Sequence, residues 1–589
     1  MVLLLYPLVK VNQGIDVADT TYSLANFQYF GSMDGTWMVA TFLSNAAGSL
    51  MMHLPFGDTL MGMYCYTGLV QSALALMVYG VLSGAFRKNG TVRMPAALVF
   101  AGEMTALGLC WCPSTILYNY LTYLLMTGGI LLLYQGIVKE DWKYDLAAGI
   151  CLGANVAVRM PNVVQTAFIV AVWYGAVVYR RTFRQVLRET GWCMSGYAAG
   201  VGIPYAAICI RYGMNAYPDM VKTMFAMTEK ATDYKPASMV TGMFGDYAVG
   251  LYWLIFAGVC MLGGGALLIA QRKFFADKKG ADRLCMGVYG AVLLVLLRFY
   301  WGRGVFSFRY YEYGSMYYPA VLFLIVSIGV LVNCLMERRA GGGDETAVRE
   351  RKILALLVLV QIFVTPLGSN NALYPIINNL FVTAPFVLWA AYEKMKDGAR
   401  AQKISVRIWG LPFALLTVFV LVQSAGFHMR FTFQDGIDGV KRDAKLMAPA
   451  KAAGIYTNQD NAGWLSELAE YMEDAGLTGR EVLLYGEIPG LGYLLDMPSA
   501  LSTFWADLDS YRMVEYERDL AGMTASPVII VASPVAAYLN EDAKGMNWFG
   551  VDRQKLAADE KLQILGEYMK EHAYQETFSN GRYVVYVTE

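Results

Sequence analysis

The chain has 589 residues, of which 56% are hydrophobic and 16% charged, and its formal net charge is zero. Long apolar stretches recur from about residue 59 to residue 426, which excludes an ordinary soluble protein. The neutral balance indicates no nucleic-acid partner, and the nine cysteines and three histidines lack the spacing of a metal site.

The apolar stretches predict an α-helical polytopic membrane bundle, because a helix needs about 20 mostly apolar residues to cross a hydrocarbon core. The opening "MVLLLYPLV" is too short to cross, and we expect it to be the outer end of a first span whose beginning is missing. Counting this truncated span, the sequence predicts about thirteen spans. The others are 59–85, 94–112, 115–138, 145–158, 162–179, 191–210, 247–270, 284–301, 315–336, 353–367, 373–392 and 408–426.

Basic residues are concentrated in alternate loops between the predicted spans. These loops read "RKNGTVR", "KEDWK", "RRTFRQVLR", "QRKFFADKKGADR", "MERRAGGGDETAVRERK" and "EKMKDGARAQKISVR". The positive-inside rule assigns such loops to the cytoplasm. Residues 10–58, 211–246, 302–314 and 368–372 are then expected outside, together with everything after residue 426.

The last part of the chain differs from the rest in composition. Residues 427–589 contain 14 Lys and Arg against 25 Asp and Glu, and no apolar run there is long enough to cross. The segment "GWLSELAEYMEDAG" has the apolar spacing of a helix, whereas "EVLLYGE", "SPVIIVAS" and "RYVVYVTE" are typical of strands. We therefore expect a transmembrane domain at 1–426 and an extracytoplasmic α/β domain at 427–589.

The first outside loop, residues 10–58, places two aspartates beside the first apolar segment. Asp16 and Asp19 precede "TTYSLANFQYF", whose apolar spacing predicts an amphipathic helix on the membrane surface. Asp19 followed by Thr20 is also typical of a helix N-cap. A partly desolvated carboxylate at this level is a candidate general base or a ligand of a divalent cation. We expect residues 36–54 to lie along the interface rather than to span.

Several arginines are predicted near the outer ends of the spans or between apolar halves. Arg159 separates two short apolar halves, and Arg298, Arg303 and Arg309 lie in "LRFYWGRGVFSFRYYEYGSMYYP". Guanidinium pairs bidentately with phosphate oxygens, so Arg159, Arg303 and Arg309 are candidates to bind a lipid phosphate. Interfacial anchoring is the alternative for the last two. We expect Arg298 to have a partner inside the bundle, and Glu103 is a candidate partner of Arg159 or Arg298.

A third set of candidates is neutral and polar. Asn370 and Asn371, in "PLGSNNALYPIINN", are candidates to hydrogen-bond a sugar or a headgroup, with helix capping as the alternative. Tyr310 and Tyr311 follow Arg309 directly, and we include them among the candidate sugar- or acceptor-binding residues.

These features together resemble the GT-C superfamily of integral-membrane glycosyltransferases, which includes oligosaccharyltransferases, protein O-mannosyltransferases and lipid A aminoarabinose transferases. The shared features are "DVADTTYS" in the first outside loop, about thirteen spans, arginine and tyrosine near the outer face, and a final α/β domain. In that family an acidic residue of the first outside loop is the usual catalytic carboxylate, which maps here to Asp19 or Asp16. An arginine near the outer ends of the spans commonly meets the carrier phosphate, which suggests Arg303 or Arg309.

The chain departs from the family pattern in two places. The outside turn "CWCPST" has no Asp-x-Asp pair, and the first loop lacks the Asp-Glu pair usual in O-mannosyltransferases. No metal ligand is therefore assigned, and a requirement for Mg²⁺ or Mn²⁺ is left open.

The resemblance implies a glycosyltransferase of the cell membrane that takes its sugar from a polyprenyl-phosphate carrier. The acceptor would be a glycan, a lipid or a protein on the outer face, and the anomeric carbon would be inverted. Two alternatives differ in class. A transporter or flippase for a lipid-linked or small polar solute would have repeated halves and discontinuous helices, and a membrane scaffold would tolerate loss of both aspartates.

Overall fold

The computed structural model describes residues 1–33, 35–84, 93–113, 115, 118–230, 236–275, 278, 280–305, 314–337, 345–400, 404–435, 440–540 and 553–588. Arg309, Tyr310 and Tyr311 lie outside these ranges. The helices of the first three quarters of the chain are α1 (Val2–Leu5), α2 (Asp19–Gln28), α3 (Thr36–Ala40), α4 (Phe42–Met52), α5 (Leu60–Leu82), α6 (Ala96–Leu109), α7 (Tyr118–Lys139), α8 (Trp142–Val158), α9 (Ile169–Tyr179), α10 (Phe183–Tyr212), α11 (Ala216–Lys230), α12 (Pro236–Phe274), α13 (Ala281–Trp301), α14 (Gly314–Leu335), α15 (Glu345–Val364), α16 (Tyr374–Ile377), α17 (Thr383–Arg400) and α18 (Ile404–Arg430).

Eight helices of the described residues are long and apolar enough to cross a membrane, so the chain is a multi-pass membrane protein. They are Leu60–Leu82, Tyr118–Lys139, Met160–Tyr179, Phe183–Tyr212, Val240–Phe274, Ala281–Trp301, Ser315–Leu335 and Ile408–Arg430, and each matches a predicted span. The four other complete segments predicted to span are also helical, as α6, α8, α15 and α16–α17, but they are shorter or more charged. Residues 36–54 form the short helices α3 and α4, neither of which reaches across the roughly 30 Å of a hydrocarbon core.

Loops predicted to share a side of the membrane contact one another. On the side predicted to be cytoplasmic, Arg181 pairs with Glu189 at 2.6 Å and with Glu140 at 3.5 Å. On the opposite side, Arg211 donates to the carbonyl of Gly31 and Lys10 to that of Phe431. The contacts therefore agree with the alternation of the loops between the two sides of the membrane that the basic residues predict. Which of the two sides faces the cytoplasm stays a prediction.

Residues after 440 form the predicted α/β region. A four-stranded sheet has the order β3 (Val482–Tyr485), β4 (Val528–Ala532), β6 (Tyr583–Val587) and β5 (Gln575–Ser579), and a small antiparallel pair joins β1 (Ala444–Lys445) to β2 (Tyr456–Thr457). Strands β3 and β4 are parallel, whereas the other pairs of the larger sheet are antiparallel. The helices of this region are α19 (Gln459–Asp474), α20 (Leu491–Leu494), α21 (Met513–Ala521), α22 (Ser533–Leu539), α23 (Arg553–Ala557) and α24 (Glu560–Glu571).

The first outside loop is part of the core of this α/β region. Leu24 and Phe27 of α2 are buried in one cluster with Leu465, Leu484 and Ile530. Helix α2 therefore forms as predicted, and it packs between α4 and the α/β domain, which cover its apolar face. The reason is that its apolar face finds apolar side chains of the domain to cover it.

Candidate active site

The start of α2 is held by the carboxylate of Asp16. This side chain is buried, and its oxygens accept hydrogen bonds from the backbone N–H groups of Ala18 at 2.9 Å and Thr20 at 2.7 Å. Burial raises the pKa of Asp16, while the bonds from Thr20 and Ala18 lower it. The predicted N-cap at Asp19 is therefore wrong: Asp16 satisfies the first amide groups, and Asp19 is the first residue of the helix.

Asp19 differs from Asp16 in having no such partners. Its carboxylate is partly buried and makes no hydrogen bond to the described residues. Burial, together with the negative charges of Asp16 and Glu487, raises the pKa of Asp19 to about 7. A carboxylate with this pKa is a stronger base than an ordinary aspartate and is free to accept a proton.

The α/β domain supplies the surroundings of Asp19 through the loop that follows β3. Gly486 and Glu487 have φ values of +100° and +59°, so the chain turns sharply at the carboxyl end of the strand. The backbone N–H of Glu487 donates to Asp507 at 2.9 Å, and burial raises the pKa of Asp507 to about 6. The carboxyl ends of parallel strands are where open α/β sheets bind ligands.

This loop is fastened directly to the start of α2. The N–H of Gly490 donates to the carbonyl of Val17 at 2.8 Å. A Cβ at Gly490 would collide with the side chain of Thr21, so only glycine allows the approach. The two parts of the chain thus form one rigid junction around Asp19.

An aromatic and hydroxyl surface continues from Asp19 along α2. The Tyr22 hydroxyl and the Thr503 hydroxyl are 3.1 Å apart, and the rings of Tyr22 and Trp505 meet edge to face at 5.3 Å. Aromatic side chains with neighbouring hydroxyl groups suit a ligand that has both apolar faces and polar edges.

A second cluster brings three predicted residues together on the same side of the bundle. Arg159 separates α8 from the 3-10 helix Met160–Phe168, and its guanidinium donates to the carbonyl of Gly368 at 2.7 Å. Its guanidinium also lies 5.7 Å from the ring of Tyr118. Asn370 and Asn371 are exposed in the loop that begins at Gly368, so their amides are available for hydrogen bonding beside Arg159.

Arg303 is placed differently from Arg159. It is exposed just beyond α13, its guanidinium lies 3.4 Å from the ring centre of Phe299, and it donates to the Phe299 carbonyl at 3.4 Å. Its contacts are therefore with its own helix, and no contact joins it to Asp19 or to the loop at Gly368. This packing favours the alternative role of Arg303, in which the side chain anchors its helix at the membrane interface.

Of two predicted pairings, that of Glu103 is wrong and that of Arg298 is not found among the described residues. Arg298 is exposed and forms no ion pair with the described residues, so its expected partner inside the bundle stays a prediction. Glu103 is fully buried in α6, and neither of its oxygens has a hydrogen-bond partner in the described part of the chain. Glu103 therefore contacts neither Arg159 nor Arg298.

The described side chains near Asp19 do not form the ligand set of a divalent cation. Among the described residues, no group of three or more His, Cys, Asp or Glu side chains is arranged to hold a metal ion. The carboxylates of Asp19, Glu487 and Asp507 do not form such a group, so no step is assigned to a metal here.

The sequence reasoning missed Glu487 and Asp507. Both are about 470 residues or more from Asp19 along the chain, so no local pattern connects them to it. One signal was present: "EVLLYGE" ends in Gly-Glu directly after a strand, which is where a parallel sheet places its ligand-binding residues.

Comparisons with known proteins give matches among solved structures only: no protein-family profile and no curated protein sequence matches the chain. An oligosaccharyltransferase of Archaeoglobus fulgidus, solved with Zn and sulfate, is 11% identical with a TM-score of 0.43, over 92% of this chain and 69% of that chain. The same enzyme tethered to an acceptor peptide with the NVT sequon gives 11% and 0.42, over 100% and 74%.

ArnT from Cupriavidus metallidurans, in the apo state, is 12% identical with a TM-score of 0.38, over 99% of this chain and 95% of that chain. Oligosaccharyltransferases are among the enzymes that the sequence resembles, and the overall plan, a helical membrane bundle with an α/β domain after it, is the expected one. At these scores and identities, the matches assign no residue role and no activity to this chain.

Proposed function

We propose that this protein is a GT-C-type membrane glycosyltransferase that moves a sugar from a polyprenyl-phosphate carrier to an acceptor, with Asp19 as the general base. The observation that carries the proposal is the state of Asp19. Its carboxylate has a pKa of about 7, has no hydrogen-bond partner among the described residues, and lies where the first outside loop meets the α/β domain. Asp16, bound by two amide groups, is not free for this role.

The reaction follows from these positions. The acceptor's O–H or N–H proton goes to the Asp19 carboxylate as the acceptor atom bonds to the anomeric carbon. The bond between that carbon and the phosphate oxygen breaks, and its electron pair leaves with polyprenyl phosphate, so the carbon is inverted. The charges of Asp16 and Glu487 favour this proton transfer because they raise the proton affinity of Asp19.

Arg159 is the better candidate than Arg303 for the leaving phosphate. Its guanidinium makes one hydrogen bond, to Gly368, and its other N–H groups make none to the described residues. A guanidinium fixed at one end and open at the other can stabilise the charge that develops on the phosphate. Arg309, which the resemblance also suggests, remains a candidate for the phosphate, and Tyr310 and Tyr311 remain candidates for the sugar.

The experiment is sugar transfer from a labelled lipid-linked donor by purified protein in lipid nanodiscs, with release of polyprenyl phosphate as the second readout. Asp19→Asn should lower the rate by at least about 100-fold, because the amide cannot accept the proton. Asp16→Asn is the matched control: asparagine also caps helices, so this variant should keep most of the activity. Full activity in Asp19→Asn, or an equal loss in both variants, would reject the assignment.

A transporter is the second candidate, and two observations favour it. Glu103 is a fully buried acid within α6 without a partner among the described residues, and the helix break at Arg159 makes a discontinuous helix. Transporters commonly use both features. Solute or lipid movement in proteoliposomes that is lost in Glu103→Gln and retained in Asp19→Asn would establish this function instead.

A further inference from the structure

A cavity of about 280 Å³ lies between the first outside loop and the α/β domain. It is lined by Phe27, Gln28, Ser49, Met52, His53 and Asp58 from the loop, and by Lys451 and Tyr493 from the domain. Gln28 ends α2, so it is about 14 Å along the helix axis from Asp19 at the other end. The cavity is therefore separate from the candidate active site.

Contacts between the loop and the domain hold the cavity walls in place. Lys451 donates to Gln28 at 2.6 Å and to Asp496 at 2.9 Å, and the Tyr493 hydroxyl donates to the Asp58 carbonyl at 2.8 Å. The ammonium of Lys451 is thus already neutralised by Asp496.

Because Lys451 is paired with Asp496, the unpaired charge in the cavity is the negative charge of Asp58. Asp58 is the one acid among the lining residues, it is exposed, and it forms no ion pair with the described residues. The His53 ring also lines the cavity, with Nδ1–H donating to the Ser49 carbonyl at 2.8 Å, which leaves Nε2 as an acceptor in the neutral ring. A carboxylate and an acceptor nitrogen suit a ligand with a positively charged donor group.

The cavity lies near one end of an apolar helix that is long enough to cross a membrane. Asp58 precedes the apolar helix Leu60–Leu82 by two residues. Next to it, Leu50, Leu54 and Phe56 are 70%, 43% and 78% exposed. Phe56 holds a φ of +61°, a conformation that bulky residues rarely adopt, and its ring points away from the protein. These apolar side chains fit the acyl region of a lipid.

We propose that this cavity binds a membrane phospholipid whose headgroup carries a primary ammonium, as phosphoethanolamine does. The ammonium pairs with Asp58, and the acyl chains lie along Leu50, Leu54 and Phe56. The cavity volume of about 280 Å³ leaves room for a small headgroup of this kind. The inference depends on the membrane location of the chain and not on the transferase activity.

Native mass spectrometry tests this on the full chain. Detergent-purified protein is mixed with equal amounts of dioleoyl phosphatidylethanolamine and dioleoyl phosphatidylglycerol, and the bound lipid masses are counted. The wild type should retain phosphatidylethanolamine over phosphatidylglycerol by about fivefold, the size of a partly exposed charge pair. Asp58→Asn should retain both equally, and Asp58→Lys should prefer phosphatidylglycerol.

Glu470→Gln is the control, because Glu470 is an exposed acid of α19 that does not line the cavity. It should keep the wild-type preference, and thermal melting confirms that all variants are folded. Equal retention of the two lipids by the wild type, retention of neither, or an unchanged preference in Asp58→Asn would overturn the proposal.

Discussion

Two aspartates three residues apart differ in their hydrogen bonding. Asp16 receives two backbone hydrogen bonds, whereas Asp19 receives none from the described residues, and burial with the charges of Asp16 and Glu487 raises its pKa. A buried acid that is bonded stabilises the helix start, and one that is not bonded retains the ability to take a proton. The difference predicts opposite effects on stability.

Asp16→Ala should lower the stability by about 1–2 kcal/mol, because the first turn of α2 loses its cap.

Asp19→Asn should melt at the same temperature as the wild type or higher at pH 8. The raised pKa of Asp19 means that its ionisation opposes folding, so the wild type loses stability as the pH rises from about 4 to about 7. Thermal shift of detergent-solubilised protein at pH 6 and pH 8 measures both effects. A drop in Asp19→Asn equal to that in Asp16→Ala would show that Asp19 is structural.

Arg159→Lys should reduce transfer by about tenfold or more, since lysine keeps the charge but loses the planar fork that holds Gly368 and meets a phosphate together. Arg303→Lys is the matched control and should leave the rate near wild type, because Arg303 packs on Phe299 of its own helix. Initial rates of transfer at several donor concentrations, measured for both variants, show which arginine contributes to the reaction. The reverse ranking would move the phosphate site to the end of α13.

At the scale of elements, the site depends on how closely the loop after β3 approaches the start of α2. The Gly490–Val17 hydrogen bond fixes that approach, and Glu487 is carried to Asp19 by the turn at Gly486. The acid environment of Asp19 is therefore a property of two elements from distant parts of the sequence.

Gly490→Ala should abolish most of the activity while the chain still inserts in the membrane. The added methyl group collides with Thr21 and pushes the loop away, so Glu487 no longer acts on Asp19. Gly463→Ala in α19 is the control, because a Cβ there meets nothing within 4 Å. Activity and melting temperature are measured on both variants. An active Gly490→Ala enzyme would mean that the close approach is not needed.

For the whole molecule, the bundle and the α/β domain share one core. Leu60 and Met63 of the first complete span are buried in the same cluster as Leu468 and Val528 of the domain. The amino-acid composition changes at the expected boundary, residue 426, but the parts of the chain before and after it do not have independent cores. Helix α18 continues past this boundary to Arg430.

Features of this protein that depend on neighbouring residues could be predicted from the sequence, and features that depend on distant residues could not. The spans and the strands β3, β4 and β6 depend on local hydropathy, and each was predictable, whereas the side that faces the cytoplasm stays a prediction from the basic loops. The roles of Asp16 and Asp19 depend on which of the two carboxylates accepts the first amide hydrogen bonds of α2. Either aspartate could do so by its type and position, and the sequence analysis assigned these bonds to Asp19 although Asp16 makes them. The effect of Glu487 on the pKa of Asp19 depends on the packing of two distant parts of the chain, which no local pattern encodes.

The most direct test of the account is the pH dependence of kcat/KM, which reports the ionisation of the free enzyme. Transfer from the lipid-linked donor should rise about tenfold per pH unit and level off above about pH 7, because Asp19 must lose its proton to act. Glu487→Gln should move the midpoint to lower pH, since it removes a charge that raises the pKa of Asp19, whereas Glu481→Gln, at the other end of β3, should not. A rate that is flat from pH 5.5 to 8.5, or a midpoint that is the same in Glu487→Gln, would contradict the assignment of Asp19 as the base.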